Sequence, residues 1–231
     1  MDRAIFFDHA RAQPFGGRLT PRQVGGCNAI LDAFERHAPS ADPRFVAYAL
    51  ATAFHETART MQPICEYGKG HGRAYGVPAG PAHQIYFGRG YVQLTWWKNY
   101  ATATARLRQK GVIGADVDLV KNPDLALRPD VAAGILVFGM LEGWFTGRKL
   151  ADYFAGTRSD WVDARRIING SDRAAQIAGY ALHFYHALGV ANAAAPTPGV
   201  PVAPKAAKAK AAAPKVSRTI VKAAGKRRRV A

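Results

Sequence analysis

Two glutamates carry the first chemical signal in this chain. Glu56 ends the run Phe45-Val46-Ala47-Tyr48-Ala49-Leu50-Ala51-Thr52-Ala53-Phe54-His55-Glu56. On a helix of about 3.6 residues per turn, positions 45, 49, 52 and 56 fall within roughly 40° of one another. Glu56 therefore shares a face with Phe45 and Ala49, on a helix that is apolar nearly all round and so expected to be buried. Desolvation and the negative end of the helix dipole both disfavour a charged carboxylate there. The expectation is a raised pKa, as a general acid working near neutral pH requires. The competing reading is a salt bridge to a nearby arginine such as Arg59. Glu66 follows Gln62-Pro63-Ile64-Cys65 and enters a glycine-rich loop, where it is expected to be solvated, ionised and suited to a general base. Two carboxylates in unlike environments are the minimum equipment for hydrolysing a glycosidic bond. Sequence spacing does not fix their separation.

Other chemistries find less support. His55-Glu56-Thr57-Ala58-Arg59 lacks the second histidine of a zinc-protease helix, so no metal is implied. His183 and His186 stand three apart on a helix, a spacing that ligands share with ordinary packed histidines. Gly88-Arg89-Gly90 has no third glycine downstream and no strand–helix unit around it, so dinucleotide binding is unsupported. There is no Gly-x-Ser-x-Gly elbow, and neither Cys27 nor Cys65 has an activating context. No cofactor is called for.

The elements that must position the two glutamates are read from helix punctuation. Thr20-Pro21-Arg22-Gln23 supplies an N-cap, a proline at the first helical position and a capping-box glutamine. Asp42-Pro43 opens the helix that runs from 45 to about 59. Thr95 is expected to cap a helix from 96 to about 109. Further helices are expected at 129–144, 159–167 and 171–188, the last capped by Ser171 and stopped by Gly189. Strand signals are limited to 84–87 and 91–94. The Gly- and Pro-rich stretch 68–90 reads as a long loop with room for a short hairpin, and loops of that length are usually functional or mobile.

Composition sets the wider frame. The chain has 231 residues, 48% hydrophobic, with 32 Lys and Arg against 16 Asp and Glu, a net charge of +16. That is enough chain for a domain that buries roughly 70% of its unfolded surface, so disorder throughout is excluded. No apolar run reaches the length of about 18 residues that a membrane span needs. Two cysteines are too few for a disulfide scaffold and read as reduced core residues. The first eight residues lack the long apolar core of a secretory signal, so the expected location is the cytoplasm until release to the periplasm and cell wall. A monomer is expected.

The positive charge is uneven. Ten of the basic residues and none of the acidic ones lie in 191–231, a segment of Ala, Pro, Lys and Val. It cannot bury enough surface to offset its ordering entropy and is expected to be disordered. Its partners would be an anionic cell envelope or nucleic acid, unless it only solubilises the chain. The Lys226-Arg227-Arg228-Arg229 run has the look of a nuclear-import signal, a weak pattern by itself. The domain division is thus 1–190 and 191–231.

One resemblance gathers these residues. Phe54-His55-Glu56-Thr57, Glu66, the block Tyr86-Phe87-Gly88-Arg89-Gly90-Tyr91-Val92-Gln93-Leu94-Thr95 with Asn99-Tyr100, and Arg166-Ile167-Ile168-Asn169-Gly170 resemble glycoside hydrolase family 19. That family contains plant-type chitinases and chitinase-like endolysins of phages and prophages. The match runs in order over nearly all of 1–190, and the compact length without plant-type disulfides is similar to the bacterial and phage branch. The resemblance implies a mainly α, lysozyme-like domain with a long irregular loop and at most a small β-hairpin. It implies Glu56 as general acid and Glu66 as general base in inverting hydrolysis of a β-1,4-linked N-acetylhexosamine polymer. Peptidoglycan is the favoured substrate and chitin the runner-up; a non-catalytic glycan- or nucleic-acid-binding protein is the rival of another class. By the same resemblance Gln93 and Thr95 bind sugar and help hold the water, with Asn99 beside them, and Asn99 and His55 are further substrate-binding candidates. Asn169 lines the cleft. Where family members often carry an arginine in the final helix, this chain reads Ala175-Gln176-Ile177, so that role is either unfilled or falls to Arg173. Tyr67, Tyr75 and Tyr86 on the loop are the aromatic candidates for glycan contact, while Trp96 and Trp97 are divided between stacking on sugar and packing in the core.

Overall fold

The computed structural model describes residues 1–189. Six α-helices carry the fold: α1 (Arg3–Ala12), α2 (Pro21–His37), α3 (Pro43–Glu56), α4 (Trp97–Gln109), α5 (Pro129–Glu142) and α6 (Ala174–Ala187). Two antiparallel pairs of two-residue strands join them: β1 (Ile64–Cys65) with β2 (Arg89–Gly90), and β3 (Phe154–Ala155) with β4 (Arg158–Ser159). The mainly helical expectation is met. No helix among the described residues is long and apolar enough to cross a membrane.

Local sequence dictates several of these elements. The Thr20 hydroxyl accepts from the Gln23 N–H while the Gln23 side chain accepts from the Thr20 N–H, so the capping box forms in full. Asp42 caps α3, and Pro43 occupies its first turn. Every residue of α3 from Ala47 to Phe54 is buried, and α5 is buried without a break from Val131 to Met140. A helix apolar all round has to sit inside others. Accordingly α3 packs mainly against α6, and α5 against α2. Phe54 meets Phe15, Tyr180 and Phe184 edge-on at this centre. Cys27 and Cys65 are both free thiols; burial pushes the Cys27 thiol up to about 12.

Elsewhere the structure departs from expectation. Helix α1, capped by Asp2, was not foreseen, nor was the β3–β4 hairpin. Thr95 does not cap α4. The cap position is Trp96, at φ 68°; its indole has no acceptor with which to cap the helix, and its own N–H donates to the Tyr86 carbonyl at 3.0 Å. Ser171 does not cap α6 either; that helix starts after Arg173, at φ 58°. The helix expected at 159–167 is a short 3-10 helix, Asp163–Ile167. The strands expected at 84–87 and 91–94 reduce to single bridges, Ala79 with Gln84 and Arg89 with Leu94. The readings made for 191–231 lie outside the described residues.

One close approach fixes the segment between the two glutamates. A Cβ at Gly26, on α2, would overlap the Met61 carbonyl, and Met61 is itself fully buried. The neighbouring Gly25 faces open space. Alanine in a helix gains up to about 1 kcal/mol over glycine, whereas overpacking costs roughly 1–3 kcal/mol. Gly25→Ala is therefore expected to raise the melting temperature and Gly26→Ala to lower it, as thermal unfolding monitored by circular dichroism would record.

Candidate active site

Glu56 is the last residue of α3, and its side chain is 18% exposed. The Arg165 Nη1 donates to Glu56 Oε1 at 2.6 Å, across 109 residues of sequence, and the arginine side chain is only 4% exposed. The apolar seat expected for Glu56 exists, but the carboxyl in it is paired rather than isolated. Nor is the partner Arg59, which lies over the rings of Phe54 and Tyr180 instead. Arg165 sits on the inner side of the 3-10 helix, between exposed Arg166 and buried Ala164. Its Nε donates to the Asp172 carbonyl at 3.1 Å, and its own carbonyl accepts from the Asn169 N–H at 3.1 Å. The turn that carries Asn169 is thereby tied to the glutamate.

His55 stands beside this pair, half-buried. Burial holds its pKa below the usual histidine value; Glu56 opposes that shift, and Arg165 and Arg173 reinforce it. Arg173 thus belongs to the electrostatic surroundings of His55, while Arg165 holds Glu56. Sequence reasoning missed Arg165. Its only signal was a double arginine four residues before Asn169, one of the two having to face inward.

Glu66 follows β1 directly and continues the ladder, since its N–H donates to the Gly88 carbonyl at 2.7 Å. It is half-buried rather than free in solvent, and both carboxyl oxygens have donors. Tyr75 Oη donates to Oε1 at 2.8 Å, and the Gly88 N–H donates to Oε2 at 3.0 Å. The bond to Glu66 raises the pKa of the Tyr75 phenol. Gly88 is glycine for want of room: a Cβ would stand 2.8 Å from Gln93 Oε1 and 3.3 Å from the Glu66 Cβ. Gln93, at φ 54°, anchors its amide nitrogen to the Ile64 and Gly90 carbonyls at 3.2 and 3.3 Å. Its carbonyl oxygen is left beside Gly88, next to Glu66.

The remaining candidates spread outward from Tyr75. Its ring meets Trp96 edge-on with centroids 5.5 Å apart, and Trp96 is 47% exposed. Both line a cavity of about 490 Å³ together with Tyr86, Trp97, Lys98 and Asn99. Thr95 is half-buried, and its carbonyl accepts from the Asn99 side-chain amide at 2.9 Å. Tyr86 is 1% exposed, and its hydroxyl donates to the Val120 carbonyl at 2.9 Å, so it forms a wall with no polar group to offer. Tyr67 is fully exposed. Asn169 is exposed at the turn behind Arg165.

The candidates therefore form two groups, one around Glu56 and Arg165 and one around Glu66, Gly88, Gln93 and Tyr75. No hydrogen bond joins the two carboxyls among the described residues; each has its own partners. The chain between them is secured by Thr57, whose buried hydroxyl donates to the Ala53 carbonyl at 2.7 Å and accepts from the Met61 N–H at 3.0 Å. Among the described residues no cluster of three or more His, Cys, Asp or Glu is arranged to hold a metal ion.

The Glu56–Arg165 pair yields a direct test. Removing one partner of a buried pair costs about 3 kcal/mol or more, which for a domain of this size is roughly 6–12 °C in melting temperature. Arg165→Ala is expected to show that loss. Adding Glu56→Gln in the same chain is expected to recover part of it, because the orphaned charge is then gone. Thermal unfolding of the two single variants and the double variant completes the cycle.

No family model and no curated protein matches the chain. Solved structures do. A mutant of a chitinase C matches at a TM-score of 0.58 and 22% identity, covering 87% of this chain and 96% of that one. Chitinase C from Streptomyces griseus gives 0.57 and 23%, over 86% of this chain and 79% of its own. A family 19, class IV chitinase from Zea mays gives 0.52 and 18%, over 86% and 95%. At these identities the likeness speaks for architecture alone, and on that ground the chain has the fold of the family 19 chitinases.

Proposed function

We propose that the chain is an inverting glycoside hydrolase that cleaves β-1,4 bonds in a polymer of N-acetylhexosamines, with Glu56 as the acid and Glu66 as the base. The observation that carries this reading is the unlike setting of the two carboxyls. One is paired with a buried guanidinium at the end of an apolar helix; the other is held by a phenol and a backbone N–H. Each carboxyl thus has its own donors and is free to take a separate step, and the assignment of Glu56 as acid and Glu66 as base follows the resemblance to family 19.

In the proposed reaction Glu66 removes a proton from a water that attacks the anomeric carbon. Glu56 gives its proton to the glycosidic oxygen as the carbon–oxygen bond breaks. The incoming water oxygen becomes the new anomeric hydroxyl, and the leaving sugar departs as an alcohol. Arg165 on Oε1 leaves Oε2 to carry the proton and stabilises the carboxylate that remains after transfer. Tyr75 and Gly88 orient the Glu66 oxygens, each of which keeps lone pairs for the water. Gln93 and Thr95 hold sugar and water, Asn99 stands beside them, and Asn169 borders the cleft from the Arg165 side.

The substrate is proposed to be peptidoglycan, supported by a net charge of +16 that favours an anionic polymer. Chitin is the second reading, favoured by the names of the solved structures that share the fold. The test is parallel turbidity assays on purified sacculi and colloidal chitin, with product masses. Glu56→Gln and Glu66→Gln are each expected to lower the rate by roughly 100- to 10,000-fold. A Glu56→Gln chain that keeps its full rate would overturn the assignment.

A further inference from the structure

Charge is distributed around the Glu66 loops in a way that hydrolysis of a neutral polymer does not need. All 16 acidic residues of the chain lie either before position 67 or between 116 and 172. The stretch 67–115 holds seven Lys and Arg and no acid at all, and it supplies Tyr75, Gln93, Thr95 and every residue of the aromatic cavity. Three of those cations are engaged by acids from later in the chain: Arg89 by Asp124, Arg108 by Asp118 and Lys110 by Glu142. Lys98 and Arg73 have no ion-pair partner among the described residues, and both are exposed.

Their placement matters more than their number. Lys98 lines the cavity beside Trp96, Trp97 and Asn99. Arg73 immediately precedes Ala74 and Tyr75, which line it too, and it stands near enough to the Tyr75 phenol to oppose the rise in that group's pKa. The Tyr75 hydroxyl in turn bonds Glu66. One unpaired cation, Lys98, thus lines an aromatic cavity that is one hydrogen bond away from the proposed base, and a second, Arg73, adjoins its Ala74–Tyr75 wall.

We propose that Lys98 and Arg73 bind a carboxylate carried by the glycan, of the kind borne by the lactyl-linked peptides of peptidoglycan, while Trp96 and Tyr75 contact a neighbouring sugar. The inference rests on the glycosidase reading and names the feature by which the same site would prefer an acidic glycan to chitin, which carries no such group. An amphipathic sugar over an aromatic ring with a cation at its edge joins apolar contact to charge recognition.

The test separates this contact from the reaction. Full-length chain carrying Glu56→Gln is sedimented with purified sacculi and with the same sacculi after their carboxyls have been amidated. Lys98→Ala and Arg73→Ala are added singly and together, with Arg36→Ala on α2 as a charge-matched control. Each cation is expected to account for about fivefold in affinity for native sacculi, the upper end for an exposed pair. The doubly substituted chain should lose about tenfold or more there, against the control, and less than twofold on amidated sacculi. Equal losses on both surfaces, or none, would overturn the carboxylate contact. Turnover of sacculi and chitin by the unsubstituted chain is scored separately; failure to cleave either polymer would remove the proposed reaction while the binding comparison still reads the charge contact.

Discussion

The site depends on the ion pair between Glu56 and Arg165. A carboxylate at the end of a helix as apolar as α3 is expensive to desolvate unless a counter-charge comes with it. The chain meets this by turning a 3-10 helix inward, so that Arg165 reaches the glutamate while Arg166 stays in solvent. The same arginine holds the Asp172 and Asn169 backbone. One guanidinium therefore ties the end of α3 to the turn that precedes α6, and α6 is the helix against which α3 chiefly packs. Packing of the core and placement of the proposed acid are one constraint.

The proposed base is held by a different principle. Glu66 owes its position to backbone approach: a strand pair two residues long, a glycine with no room for a Cβ, and a glutamine whose amide is anchored to two carbonyls. The far side of that loop is anchored in the core by Tyr86, Tyr91 and Leu94, while Glu66 itself is oriented by hydrogen bonds and by Tyr75, which also lines the aromatic cavity. Loops held this way can present polar groups that a helix face would have to bury.

What was legible in the sequence follows from range. The Thr20 capping box, the Asp42 cap and the buried run of α3 are decided by residues within a turn of one another, and the structure has them as the pattern implies. The caps expected of Thr95 and Ser171 depended on the same local rule and failed because tertiary contacts reached those turns first. Trp96 gives its N–H to Tyr86 and enters the left-handed region. Arg165 takes the carbonyl of Asp172, so α6 begins only after Arg173. Of the candidate site, Glu56, Glu66, Gln93 and Asn169 could be singled out by type and motif, but their partners could not. The bond from Arg165 spans 109 residues, and no periodicity encodes it. Tyr75 was named as a glycan contact, yet its hydroxyl is engaged by Glu66. Tyr86 was named alongside it and forms a buried wall.

The central claim, that two separately held carboxyls act as acid and base on opposite faces of the sugar, is tested most directly by the anomer first released. Inverting enzymes need a gap of roughly 6.5–9.5 Å between the carboxyls to admit that water, whereas a retaining pair stands about 5–5.5 Å apart. Proton NMR of the products in the first minutes of hydrolysis, before mutarotation, distinguishes the two. The account predicts that the α-anomer appears first from a β-linked substrate; initial release of the β-anomer would contradict it.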